Sequence, residues 1–386
     1  MNNREFMEMV ERAKEASAAG EVWTAAVLYE RLHDAALEKR REDWSRWTLR
    51  KAAECWTLTS DPDRGLHLLL HALHEARPAD AERYWLHRVF VIYAMYLDVP
   101  VDDMDGQLVR LAELAVDVWG HEGSDPAMLS GQLLRLRGDW NAALGAFERA
   151  WADRDSPGPQ KSQTHIASSA ARTALRLGRR GEAQRWGELS ALHVNAAWER
   201  NRAGTTHLCL AVFDNDAPAA RAASRALEAL VSPQLPAYRA DATNLAVYAL
   251  LLEETQGDPA YPAHLARLRL KQQTDDGVRT VDDHYNRHHA LVCLELASLR
   301  YAAGMAPLDD AYHRQPDPPP DPDRIRLPDE IAKRLAVVHE ACDTALTHAR
   351  EADTRFGCSW RQQEIADLRD RGERMAQALW HRDRPH

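Results

Sequence analysis

Along most of the chain apolar residues return every three or four positions, and runs alternating strictly between apolar and polar are almost absent. That rhythm marks amphipathic helices; strands would show a two-residue period bounded by hairpin turns. Ala, Leu, Arg and Glu carry the pattern, and all four are good helix formers. Gly20, Ser60-Asp61-Pro62-Asp63, Gly138-Asp139-Trp140 and Gly257-Asp258-Pro259 punctuate it as turns. The chain is predicted to be all-α.

The helices come in repeating pairs. The clearest unit is GQLLRLRGDWNAALGAFERA, in which Gly131, Ala143, Phe147 and Ala150 follow at spacings of 12, 4 and 3 residues. The same spacing joins Ala13, Ala25, Tyr29 and Leu32, and again Ala53, Gly65, Leu69 and Ala72. Degraded copies run through Ala171, Ala183, Gly187 and Ser190, and through Leu208, Ala220, Ser224 and Leu227. Small residues at these places let two antiparallel helices approach, and the aromatic fills the groove beside the next pair.

Over roughly residues 5–270 the pattern resembles the tetratricopeptide repeat. The resemblance implies a right-handed superhelical solenoid of antiparallel helix pairs, with the first helix of each pair, helix A, lining a concave face. Ala143 to Ala183 spans 40 residues, against about 34 for the family, so helices or connections are lengthened. Residues 82–120 supply a further pair, broken near Pro100, without signature residues.

The last third changes character. Residues 282–303 read as one long helix, and a Pro/Asp-rich stretch follows that cannot continue it. Helices are expected over 328–353 and 358–380. The expected organisation is a helical array over 1–304, a linker or insertion over 305–327, and C-terminal helices over 328–386 that cap the array.

Bulk properties narrow the function. A chain of 386 residues is near the limit for one compact core, which suits an array or several domains. The first residues are polar and helical, without the apolar stretch of a signal peptide, and no apolar run reaches the length of a membrane span. Five scattered cysteines without a CxxC pair read as free thiols in a reducing cytoplasm. The net charge of −10 argues against a nucleic-acid partner. Arginine heavily outnumbers lysine, as in a GC-rich bacterial genome. Neither a phosphate-cradling glycine loop nor a nucleophile elbow is present. Cys358 is near a helix start but outside any catalytic motif, and no cofactor is expected.

The repeat resemblance implies groove positions six residues before and one after the small helix-A residue. It thereby selects Trp47, Glu54, Gln132, His165, Arg172 and Arg202, with Arg50 and Arg135 at intermediate positions. Asp125 falls on the same register but precedes Pro126 and reads better as an N-cap. Trp44, Trp47, Trp56, Tyr84, Trp85, Phe90, Tyr93 and Tyr96 are dense enough to fill a helical core, while Trp47 and Trp85 are also candidate anchors for a partner. The basic lean of the groove in an acidic protein points to an acidic peptide or anionic ligand, since guanidinium suits carboxylate and phosphate. The paired Lys and Asn of a carboxylate clamp are missing.

Two histidine groups offer different chemistry. His284 and His288 are four apart on a helix, and Asp283 could complete three metal ligands with them; His289 adjoins. The glutamate of the zinc-protease motif is absent, so no hydrolytic base comes with them. His67, His71 and His74 form a second ladder, which also reads as the polar side of an amphipathic helix. The leading expectation is a cytoplasmic, non-enzymatic scaffold that binds a protein or peptide. The alternatives are an enzyme or metal-binding protein centred on His284, His288 and His289, and a self-assembling homodimer.

Overall fold

A computed structural model describes residues 2–59, 61–75, 81–99, 103–230, 236–251, 261–274, 280–303 and 328–380. Among them there are seventeen helices and no strand. In chain order these are α1 (Asn3–Ala19), α2 (Val22–Glu38), α3 (Glu42–Trp56), α4 (Pro62–Glu75), α5 (Ala81–Tyr96), α6 (Met104–Trp119), α7 (Asp125–Arg137), α8 (Trp140–Ala152) and α9 (Gln163–Arg176). There follow α10 (Arg180–Leu192), α11 (Ala197–Phe213), α12 (Ala217–Leu230), α13 (Pro236–Leu251), α14 (Tyr261–Thr274), α15 (Val281–Ala302), α16 (Pro328–Phe356) and α17 (Trp360–Trp380). The chain divides into two compact units, Met1–Ala203 with Leu230–Tyr238, and Gly204–Ala229 with Arg239–His386.

In the first unit each helix from α1 to α10 packs on the next, and connections of two or three residues make α1–α2, α7–α8 and α9–α10 antiparallel pairs. The pairs are tetratricopeptide-like in detail. Gly20 ends α1 in the left-handed region (φ 82°), where its N–H reaches the carbonyls of Ala16 and Ser17; such a turn favours glycine. The repeat positions Ala13, Ala25, Ala53, Ala143, Phe147 and Ala150 are fully buried. Gly131 shows why small residues are needed: a Cβ there would meet the Phe147 ring at 2.5 Å. At Gly65 it would lie 1.8 Å from the Tyr93 hydroxyl. The aromatics mostly fill this core. Trp47 is 5.7 Å from Tyr29 and 5.5 Å from Trp44, edge to face, and Trp44 meets Phe6 at 5.3 Å. Trp47 is therefore committed largely to packing α2 against α3, which its helical register alone does not reveal.

In the second unit α15 is the central helix, with α16 and α17 both packed on it. Tyr285, Val292, Leu296 and Leu299 of α15 meet Val338, Cys342 and Ala345 of α16 and Ile365, Leu368 and Met375 of α17 in one core. The two C-terminal helices fall where the periodicity places them, α16 running on to Phe356 before Gly357 stops it in the left-handed region (φ 67°). The expected linker 305–327 lies outside the described residues.

Arg361 holds the start of α17 in place. Its fully buried guanidinium bonds Asp282 of α15 at 2.6 Å and Asp353 of α16 at 3.2 Å, and it lies 4.3 Å from the Trp360 ring. Cys358 sits beside this pair; burial and a hydrogen bond to Asp353 push its thiol up to about 11, so it is a poor nucleophile.

Candidate functional site

The odd-numbered helices of the first unit are joined by side-chain contacts running from one A helix to the next. Arg50 of α3 bonds Glu82 of α5 at 2.5 Å and Glu54 on its own helix at 2.7 Å. Burial raises the Glu54 carboxyl, but Lys51, Arg50 and Arg88 more than offset it and hold the group well below the usual range. The Trp85 ring lies 5.5 Å from the Arg50 guanidinium and 5.8 Å from that of Arg88, so two cations are drawn to one half-buried indole.

From α5 the network reaches α7. Asp125, wholly buried at the start of α7, accepts from Tyr84 Oη at 2.9 Å and Arg88 Nε at 2.5 Å, both through Oδ2. Its other oxygen, Oδ1, is buried without a hydrogen-bond partner. From α7, Gln132 donates to Ser169 of α9 at 2.8 Å, lies 3.5 Å from His165, and accepts from Arg135 at 3.1 Å. Ser162, at the start of α9, donates to Glu199 of α11 rather than capping its own helix. Six of the residues expected along the groove, Arg50, Glu54, Trp85, Gln132, Arg135 and His165, are thus tied into this face. Arg172 and Arg202 occupy the same register on α9 and α11 and are partly exposed. Trp47 is the outlier, as the core packing explains.

The α8–α9 connection adds a cation that no helical register could show. The Asp125 and Ser124 amides both donate to the Pro159 carbonyl, and Ser124 Oγ accepts from the Lys161 amide at 2.8 Å. Gly123 lies under this clamp, where a Cβ would meet the Pro159 oxygen at 2.3 Å. The clamp sets Lys161 beside Asp125 and His165. Burial, then Arg88, bring the Lys161 ammonium down to about 7; Asp125 opposes and Arg202 adds to the fall.

His165 feels the same field. Burial, then Arg202, Lys161, Arg88 and Arg135, push its imidazole well below the ordinary value, so it is neutral at pH 7. Its Nδ1 has no hydrogen-bond partner, and neither does the buried Ser168 hydroxyl one turn away. Arg88 and Lys161 are the residues that sequence reasoning missed. The unit containing Arg88 lacks signature positions, and Lys161 precedes its helix.

In the second unit the histidines separate by face. His289 is buried, 2.6 Å from Tyr248 Oη and 3.7 Å from Glu364, whose other oxygen accepts from Tyr285 at 2.5 Å. His284 and His288 instead meet His348 of α16, their rings stacked on it at 5.2 and 4.4 Å. Burial, then His348 and His284, lower His288 to about 4. Asp283 is not part of this group: it closes a capping box with Thr280, accepting from the Thr280 amide at 3.1 Å. The expected third ligand is thus used to start the helix, and His348, from a helix some sixty residues on, stands in its place. His67, His71 and His74 are exposed on α4 and form no converging group.

No protein-family model matches the chain. No curated protein matches it either. Among solved structures, the Rap protein complexed with competence and sporulation factor is similar at 8% identity and a TM-score of 0.45, over 87% of this chain and 99% of that one. The P58(IPK) TPR domain is similar at 11% identity and a TM-score of 0.24, over 98% and 100%. Overlaps at these scores carry no functional argument, and function has to be read from the side chains. No helix among the described residues is long and apolar enough to cross a membrane.

Proposed function

We propose that the chain is a cytoplasmic protein- or peptide-binding scaffold whose A-helix face in the first unit takes an acidic segment. One observation carries this reading: the charges acting most strongly on His165 are all positive, coming from Arg202, Lys161, Arg88 and Arg135, in a protein whose net charge is −10. Arg88 is already paired with Asp125, and an anionic partner would meet the remaining positive groups on the same face. Lys161, Arg202, Arg135 and Arg172 would receive carboxylates, His165 would offer a neutral imidazole, and the half-buried Trp85 would pack an apolar side chain. The α9 N-terminus, not capped by Ser162, adds its positive end to the same place. The five free cysteines suit a reducing compartment.

The test is selection of a displayed random-peptide library on the full chain, run in parallel on Arg135→Glu combined with Arg172→Glu. Peptides enriched in Asp and Glu, bound by wild type and lost from the double variant, are the expected result. Enriched peptides without an acidic bias, or equal recovery on the variant, would overturn the proposal.

A further inference from the structure

The second unit holds a group of side chains that peptide binding does not use. His284 and His288 on α15 and His348 on α16 each bring a ring nitrogen within 4.8 Å of the other two. We infer that these three imidazoles form a binding site for a single divalent transition-metal ion, joining α15 to α16. The donor set selects the ion. Neutral imidazole suits zinc, nickel, cobalt and copper, whereas magnesium and calcium want oxygen ligands.

Geometry favours this set over the one suggested by sequence. A four-coordinate ion with bonds of about 2.0–2.1 Å places its donor nitrogens about 3.4 Å apart. The rings now stack on His348 with interplanar angles of 13° and 15°, so a bound ion requires them to turn until their in-plane nitrogens converge at that spacing; all three rings are partly exposed. His284 and His288 are one turn apart on a single helix, so their backbone is already placed and only the approach of α16 has to be fixed. The α15–α16 core does that through Cys293, Leu296 and Val338.

His348 Nδ1 lies 3.8 Å from Glu351, one turn along α16, without a hydrogen bond between them; closing that gap on metal binding would give the carboxylate–histidine arrangement that fixes a ligand's tautomer and leaves Nε2 to the metal. Three protein ligands leave a fourth position for water or an incoming group. Arg287 acts on His288 as a positive neighbour, which weakens the site.

The experiment uses the untagged full chain, stripped with chelator. Cobalt(II) is added while visible absorption is recorded, and zinc(II) binding is followed by calorimetry. Expected are one ion per chain at micromolar affinity, a tetrahedral cobalt spectrum, and no response to magnesium. His348→Ala and, separately, His284→Gln should each weaken binding by more than about tenfold, with helical circular dichroism retained. His67→Ala combined with His71→Ala should leave binding unchanged. Absence of binding by wild type, equal binding by the folded His348→Ala and His284→Gln chains, or loss in the α4 double variant would each overturn the assignment.

Discussion

Two buried charge clusters, one in each unit, are built in opposite ways. In the second, the fully buried Arg361 is met by Asp282 and Asp353, and the cluster is closed. In the first, Asp125 binds Tyr84 and Arg88 with one oxygen and leaves the other without a hydrogen-bond partner, while His165 is acted on most by Arg202, Lys161, Arg88 and Arg135. A closed cluster stabilises one arrangement of helices. An open one is costly unless something else completes it. On the proposed function, the contrast separates a structural use of charge from a binding use.

The comparison can be broken most forcefully at Arg361. Arg361→Met leaves Asp282 and the buried Asp353 without their cation, and should cost about 3–5 kcal/mol in denaturant unfolding of the second unit. A cost below about 1 kcal/mol would show that the cluster is not closed. Next comes packing in the first unit. Gly131→Leu drives a side chain into Phe147 and should cost about 1–3 kcal/mol, partly recovered when Phe147→Leu is added. No recovery in the double variant would place the strain elsewhere.

The binding face predicts the reverse balance. Arg135→Glu with Arg172→Glu should change stability by no more than about 1 kcal/mol and abolish recovery of acidic peptides in the selection. A folded variant that still selects them would remove these arginines from the account.

A further effect is in pH. Lys161 has a folded value near 7 against an ordinary 10.5, so between those values the unfolded chain binds more protons than the folded one. Lys161 therefore makes the first unit more stable as pH rises across that window. Affinity for an acidic peptide should fall over the same range, because a neutral amine must regain its proton to bind. Lys161→Met should flatten both trends, measured by unfolding and by calorimetry at several pH values.

How far the sequence discloses this depends on the kind of contact. Ala143, Phe147 and Gly131 announce the helix pair because local spacing and close packing are the same constraint. The repeat register gives Arg50, Gln132 and His165 a direction around their helices, and all three take part in contacts from one helix to another. Trp47 misled, since the same register reaches the inter-helix core as well as the open face. Lys161 and His348 were not legible at all. One is placed by a loop folded back on α7, the other by the meeting of two helices far apart in the chain. Asp283 looked like a ligand because spacing cannot distinguish a free carboxylate from one committed to a capping box.

The most direct test follows Lys161 itself. In a chain carrying lysine labelled with carbon-13 at the ε position, the Lys161 resonance, assigned by its loss in Lys161→Met, is titrated by NMR with and without a hexaglutamate peptide. The account predicts a midpoint about 7 in the free protein and a clear upward shift when the peptide is added. A midpoint at the ordinary lysine value, or one the peptide does not move, would contradict the claim that this face gathers positive charge to receive an acidic partner.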